Sequence, residues 1–315
     1  MSTSPLDIHT LGRTGIEVTA LCLGTSPLGS MPQLYGHSVE KETAIATVDE
    51  ALDRGIRAID TSNSYGGGNS EQIVGEALRR RGGLPDGVLL ATKVDPAPGS
   101  SDFSGARVLA SFEESLERLG VDRIELLHLH DPEKIGFEAS MAEGGPVEAL
   151  IALRDSGRVD YLGVAGGPTE MLTRFIETDV FDAVLSHNRF SLLDRSAHSL
   201  FKAASARGIG VINAAPFGGG MLAKGPAERP TYAYGRGDDS MGEYARRMAE
   251  ACGKYGVELA SAALQFSLRA PIVDMTVVGG SRPSRIDAAM REVDIPHALW
   301  EELETLAPPP TTWMG

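Results

Sequence analysis

Val88-Leu89-Leu90-Ala91-Thr92-Lys93-Val94, an amphipathic stretch over residues 107–119 closed by Gly120, then Ile124-Glu125-Leu126-Leu127-His128-Leu129-His130, together read as one β-α-β unit. The two outer runs are short and nearly continuously apolar, as parallel strands buried on both faces are. Gly120 fits a helix C-terminal cap ahead of the next strand. The same alternation extends in both directions. Strand-like runs cover 18–24, 58–60, 88–94, 124–130, 161–165, 183–186, 211–216 and 275–279. Amphipathic stretches fill 43–53, 70–80, 107–119, 147–155, 171–177, 197–206, 244–255 and 285–291, and Gly55, Gly157 and Gly208 follow helices as Gly120 does. Eight β-then-α units predict an α/β fold of the parallel (β/α)8 TIM-barrel type. A doubly wound sheet is the rival, but no strand is followed by G-x-G-x-x-G or by G-x-x-x-x-G-K-[ST].

Ahead of the first unit, residues 9–12 and 16–21 flank 13–15 and predict a β-hairpin turning at Gly15 and plugging one barrel end. Residues 131–146, 218–242 and 308–315 are long connections of the kind that carry function. No repeat, linker or low-complexity tract interrupts 1–315, so one domain is expected.

The chain has 315 residues, with 29 Lys and Arg against 43 Asp and Glu for a net charge of −14. That balance disfavours nucleic acid and anionic membranes as partners, yet leaves room for a small anionic cofactor held by local arginines and backbone N–H groups. Two cysteines, Cys22 and Cys252, exclude a disulfide scaffold or cysteine-rich metal cluster. The opening residues lack the apolar core of a secretory signal, and no apolar run approaches membrane-spanning length, which makes the cytoplasm the expected location. Glycine is abundant at 37 of 315 residues, about 12% against about 7% ordinarily, consistent with many tight loops.

Barrel active sites lie where strands end and βα loops begin. Asp60 ends the second predicted strand with Tyr65 beyond it, Lys93 lies at the end of the third, and His130 ends the fourth. Asp60 and Lys93 come from adjacent strands and would neutralise each other, since buried charges are costly unless paired. A nearby ammonium is expected to lower the Tyr65 pKa and make it a general acid–base, with His130 bonded to the same oxygen. Singly, each has a plainer explanation: Asp60 as a turn former, Tyr65 as a residue of the Gly66-Gly67-Gly68 loop, Lys93 as a solvated charge. Their convergence on one rim favours chemistry.

Two other constellations arise. His128 and His130 share a strand face and could form a metal pair with Asp131. Of His9, His37, His187, His198 and His297, however, only His187 also ends a strand, so no metal is expected. Lys93 could instead form a Schiff base with a carbonyl substrate. For anion binding, the loops after the last two strands offer Gly218-Gly219-Gly220 and Gly279-Gly280-Ser281-Arg282, with Arg285 close in sequence.

Several of these segments together resemble the aldo-keto reductase superfamily over essentially the whole chain. Leu11-Gly12-Arg13-Thr14-Gly15 and Leu23-Gly24-Thr25 are similar to its N-terminal hairpin and first strand. Gly55-Ile56-Arg57-Ala58-Ile59-Asp60-Thr61-Ser62-Asn63-Ser64-Tyr65-Gly66 is similar to its G-x-x-x-[IF]-D-T-A-x-x-Y-G signature, and Ser70, Glu71 and Gly75 continue it. Ala91-Thr92-Lys93 and Leu127-His128-Leu129-His130-Asp131-Pro132 match the strands carrying the family lysine and histidine. The resemblance implies a catalytic tetrad of Asp60, Tyr65, Lys93 and His130, with hydride passing to or from the nicotinamide of NAD or NADP and without a metal.

It further implies a cofactor site made by Gly24, Thr25, Asp60, Ala165, His187, Asn188, Ala215, Pro216, Phe217, Gly218, Gly220, Gly279, Gly280, Ser281, Arg282 and Arg285. Three departures fall there. Gly163-Val164-Ala165-Gly166 replaces G-V-S-N, His187 replaces a common glutamine, and Asn213-Ala214-Ala215-Pro216-Phe217 lacks the tyrosine of A-Y-S-P-L. The last segment and Arg189-Phe190-Ser191-Leu192-Leu193 are more similar to the branch of D-threo-aldose, L-fucose, L-galactose and pyridoxal dehydrogenases. A sugar dehydrogenase is therefore expected, with a general aldehyde, ketone or pyridoxal enzyme as the alternative. A nicotinamide-sensing subunit without catalysis and a metal-dependent hydrolase are more distant readings. Gly279-Gly280 stands where many NADP-preferring relatives carry Lys-Ser, which favours NAD, while Arg282 and Arg285 keep NADP open. Tyr35, His130 and Trp313 are expected to meet a small carbonyl or sugar substrate. Nothing in the sequence specifies an oligomeric state.

Overall fold

The structure, a computed structural model, describes residues 3–228, 232–235 and 240–308. Eight parallel strands close into a barrel: β3 (Leu21–Gly24), β4 (Ala58–Asp60), β5 (Leu89–Val94), β6 (Ile124–His130), β7 (Val159–Gly166), β8 (Ala183–His187), β9 (Gly210–Ala214) and β10 (Met275–Gly279), with β10 pairing back to β3. Period-two alternation sorts their side chains. Ile59, Leu90, Leu127 and Leu129 face the surrounding helices, while Ala58, Leu89, Ala91 and Leu126 fill the barrel. Asp60, Lys93 and His130 continue the inward-facing series to its C-terminal rim. The register pairs Asp60 with Ala91, Lys93 with His128, and His130 with Ala165, so Lys93 and His130 each lie two residues beyond the partner of the one before, and the three rise stepwise along consecutive strands.

The opposite end is sealed by a hairpin of β1 (Ile8–Thr10) and β2 (Glu17–Thr19), paired antiparallel. Leu11 reaches from its tip into the barrel interior and is fully buried. The tip is fixed through its backbone: Arg13 N–H donates to Gly208 O at 2.6 Å, and Tyr161 O–H donates to Thr14 O at 2.6 Å. Gly12 N–H donates to the Asp274 carboxylate at 3.1 Å. Gly12 has φ +50°, and a Cβ there would lie 2.3 Å from the backbone nitrogen of Gly210, so only glycine allows this approach.

Several boundaries differ from expectation. The run 18–24 is shared between β2 and β3, because the chain leaves the hairpin at Ala20 to enter the barrel. The run 211–216 ends as a strand at Ala214, since Ala215 takes φ +55° and turns the chain. Helix Leu259–Leu268 was not expected: it is so apolar that no polar stripe marks its period, and Ala262, Ala263, Leu264 and Leu268 are buried. Helix His297–Thr305 was also unforeseen. The 131–146 connection contains a short helix, Phe137–Met141. Parts of 218–242 and most of the 308–315 tail, including Trp313, lie outside the described residues. Among those residues no helix is long and apolar enough to cross a membrane.

Candidate active site

Lys93 is the centre of the rim. It is 1% exposed, and its Nζ donates to Asp60 Oδ1 at 2.7 Å, Thr61 O at 2.6 Å and Tyr65 Oη at 3.2 Å. These three acceptors take the three ammonium hydrogens, leaving no free amine for a Schiff base. Because Tyr65 Oη accepts from Lys93, its own hydrogen is left to point into the mouth. The Tyr65 loop is tightly seated: a Cβ on Gly66 would come 2.1 Å from Gly29 O.

The expected lowering of the Tyr65 pKa is not found. Burial, followed by the carboxylate of Asp60, pushes the phenol well above its ordinary value. Asp60 largely cancels the field of the ammonium it pairs with, so desolvation prevails and Tyr65 is a neutral hydrogen-bond donor.

His130 has an unforeseen partner. Asp95, just beyond β5 and fully buried, places Oδ1 2.8 Å from His130 Nδ1. Its Oδ2 accepts from Ser62 Oγ at 2.5 Å and from Ser64 N–H at 3.1 Å. Asp131 Oδ1 lies 3.6 Å from His130 Nε2, and Lys134 Nζ is 3.3 Å from Asp131 Oδ2. Burial disfavours the imidazolium, but Asp131 and Asp95 outweigh it and raise the His130 pKa. Burial likewise opposes the Asp131 charge, yet His130, His187 and Lys134 hold that carboxyl below its ordinary range.

His128 does not join His130 in a chelating pair. It is buried deeper, against the Cα of Gly163, and neither ring nitrogen has a hydrogen-bond partner among the described residues. Burial first, then Lys93 and His130, keeps it neutral. The ligand-type atoms that do converge belong to Asp131, Glu133 and His187, within 4.8 Å of one another.

Above the rim opens a cavity of about 1070 Å³. Its walls include Gly24, Asp60, Ala165, His187, Asn188, Ala215, Pro216, Phe217, Gly220, Gly279, Ser281, Arg282 and Arg285 from the expected cofactor set, together with Tyr35, Tyr65, Lys93 and His130. Thr25, Gly218 and Gly280 do not line it. Thr25 is buried beneath, its hydroxyl donating to Asp60 O at 3.0 Å. Gly218 packs on the Tyr232 ring, and Gly280 lies over Ile286. Tyr35 closes the far wall, its hydroxyl 2.7 Å from Ser26 Oγ. Unforeseen lining residues include Ser26, Met31, Leu34, His37 and Ser64. Asp95 and Ser62 had a legible signal: each lies two residues beyond a rim residue, Lys93 and Asp60, and so keeps that residue's facing where the strand conformation persists.

The site fits a nicotinamide dinucleotide. Asn188 has φ +60°, with its backbone carbonyl held by Tyr232 O–H at 2.8 Å. Its side-chain amide lies 3.2 Å from His187 Nδ1, while Oδ1 is buried and has no hydrogen-bond partner among the described residues. An orphaned acceptor in the cavity wall suits a carboxamide N–H. Arg282, Arg285 and Arg291, all exposed, are among the residues lining the cavity, and an anionic phosphate would be stabilised beside them.

Comparison with known proteins agrees. The model of the Aldo/keto reductase family matches residues 20–305. L-galactose dehydrogenase of Arabidopsis thaliana is 31% identical over 306 residues, covering 96% of this chain and 92% of that protein. D-threo-aldose 1-dehydrogenase of Pseudomonas sp is 31% identical, covering 92% of this chain and 94% of the relative. Pyridoxal 4-dehydrogenase of Microbacterium luteolum is 30% identical, with 94% and 96% covered. In architecture the chain is similar to the holo form of aldo-keto reductase AKR11C1 from Bacillus halodurans, with a TM-score of 0.77 at 24% identity and coverage of 96% and 97%. This chain belongs to the aldo/keto reductase family and is an oxidoreductase of its nicotinamide-using kind.

Proposed function

We propose that this enzyme oxidises a sugar hemiacetal to a lactone with NAD as the acceptor, using Asp60, Tyr65, Lys93 and His130 as its catalytic set. The observation that carries the reading is the hydrogen-bonded chain Asp60–Lys93–Tyr65, which delivers one phenol hydrogen to the cavity. A bound nicotinamide supplies the hydride acceptor. For oxidation Tyr65 first releases its phenol hydrogen to solvent, Lys93 stabilises the resulting phenolate, and Tyr65 Oη then takes the proton of the substrate hydroxyl; in the reverse direction the neutral phenol donates it. Asp60 keeps Lys93 pointed at that oxygen and neutralises it in the resting site. His130 Nε2 holds the substrate oxygen against Tyr65. Asn188 Oδ1 and His187 would orient the carboxamide, Pro216 and Phe217 would flank the ring, and the Gly279–Arg285 segment would take the phosphates.

A polyol suits a wall containing Ser26, Tyr35, Ser64 and Asp131, and two of the similar proteins are named for sugars. The three mouth arginines favour a second reading for the cofactor, NADP, whose 2′-phosphate adds charge. Titration with NAD, NADP and their reduced forms, followed by a panel of aldoses, pyridoxal and simple aldehydes, tests both points. Turnover of an aldose with NAD is the expected result. Preference for NADP would overturn the cofactor reading, and turnover of simple aldehydes alone would overturn the substrate reading.

A further inference from the structure

We propose that Tyr232, which does not itself line the cavity, is a positioning residue for the cofactor: its phenol hydrogen holds the Asn188 backbone in the left-handed turn that presents the Asn188 amide to the nicotinamide carboxamide. The inference deepens the proposed function and rests on its placement of the carboxamide at Asn188.

Asn188 follows directly on β8, and its φ of +60° lies in a region that few side chains other than asparagine enter without strain. The turn is held on both sides of its Cα. Asn188 N–H donates to Ala214 O at 3.1 Å, which ties it to the end of β9. Its carbonyl accepts from Tyr232 O–H at 2.8 Å. With both flanking peptide groups fixed, φ and ψ are fixed, and so is the direction in which Cβ leaves the chain. The side-chain nitrogen then sits 3.2 Å from His187 Nδ1, which turns Oδ1 the other way as the orphaned acceptor.

The hydrogens in this chain have one arrangement. A carbonyl only accepts, so the single phenol hydrogen lies on Asn188 O. Tyr232 Oη must therefore accept from the Ser191 hydroxyl, 2.8 Å away. Ser191 Oγ in turn accepts from Leu193 N–H and Asp194 N–H, each at 3.2 Å. Every bond runs towards Asn188 O, and no group is asked for two hydrogens. Burial pushes the Tyr232 phenol above its ordinary pKa, which keeps it a donor.

The phenol is itself firmly placed. Tyr232 is 1% exposed and packs among Leu192, Leu193, Met221 and Leu222. Its ring lies against Gly218, where a Cβ would come 2.1 Å from the ring carbon Cε2. Tyr232 thus meets both loops that build this wall, the one after β8 and the one after β9. The ring supports the glycine turn and the hydroxyl aims Asn188, and the two roles can be separated by removing the hydroxyl alone.

The test is titration of Tyr232→Phe with NADH and, by competition, with ADP-ribose, which lacks the nicotinamide. NADH should bind about three- to tenfold more weakly, as expected for one hydrogen bond, while ADP-ribose keeps its affinity. Unchanged NADH binding overturns the proposal. An equal loss for both ligands also overturns it, because that marks a loosened wall and not a misdirected amide. Asn188→Gly tests the underlying reading, since glycine accepts this φ without help and carries no amide. It should weaken NADH alone, and adding Tyr232→Phe to it should bring no further loss; additive losses overturn the proposal. If Asn188→Gly binds NADH as wild type does, the carboxamide placement fails and the proposal with it. A weakened Asn188→Gly beside an unaffected Tyr232→Phe overturns the proposal alone. Ser191→Ala is the second variant, informative even if Tyr232→Phe folds poorly. It breaks the same chain beyond the phenol and leaves the bond to Asn188 O in place. Its unfolding midpoint should fall while its NADH to ADP-ribose affinity ratio stays that of wild type, and a changed ratio overturns the proposal.

Discussion

The two ends of the barrel are made of the same strands and could hardly differ more. At the N-terminal end the hairpin inserts Leu11 into an apolar interior and ties its backbone to Gly208, Asp274 and Tyr161. At the C-terminal end Asp60, Lys93, Asp95 and His130 are buried together, where each charge depends on another for its tolerance. One end gains stability from every contact. The other concentrates desolvated charge that an apolar set of similar volume would replace without loss of stability. The difference separates what keeps the barrel closed from what makes it an enzyme, and substitutions at the two ends should separate accordingly.

The largest effect is expected from Lys93→Met. Turnover should fall by about 10²–10⁴ through loss of support to Tyr65, and the orphaned Asp60 carboxylate should cost about 3–5 kcal/mol in denaturant unfolding. Loss of turnover with full stability would mean that the rim charges do not depend on each other. Leu11→Ala is the counterpart, expected to cost about 2–5 kcal/mol through its cavity while kcat measured on the folded protein stays unchanged. A kcat loss there would show the two ends coupled. Arg282→Ala touches only the exposed margin of the mouth, and its effect should be confined to cofactor affinity, weakening it up to about fivefold by fluorescence titration.

The smallest contrast is in pH. The His130 pKa is raised in the folded protein, so its stabilising contribution is complete below the unfolded value near 6.5 and disappears as pH rises through the folded value. The stability advantage of wild type over His130→Gln should therefore shrink from pH 5.5 towards pH 9, as read by chemical denaturation; an advantage that grows with pH would invert the assignment of carboxylates around the ring.

Much of the active end was legible in the sequence. Strand ends locate Asp60, Lys93 and His130, since a rim residue is whatever follows the last apolar inward position. Tyr65 lies beyond a strand, and the family signature rather than periodicity singles it out. Asp95 escaped attention although it repeats the facing of Lys93, because it stands after the strand and before a proline, where an aspartate reads as a turn former. Tyr65's protonation was misjudged for an energetic reason: the field of Lys93 is spent on Asp60, which pairing alone does not reveal. Thr25, Gly218 and Gly280 were expected at the cofactor and do not line the cavity, because proximity in sequence to a lining loop does not specify which way a residue faces. In the scaffold, helix Leu259–Leu268 was lost for lack of a polar face.

The central claim is that Tyr65 exchanges the substrate proton at a site whose cofactor binding is separate from it. The direct measurement compares wild type with Tyr65→Phe in two assays, nicotinamide turnover with the best aldose and fluorescence titration of the reduced cofactor. Turnover reduced by about 10²–10⁴ with unchanged cofactor affinity is the expected result; turnover near that of wild type would contradict it.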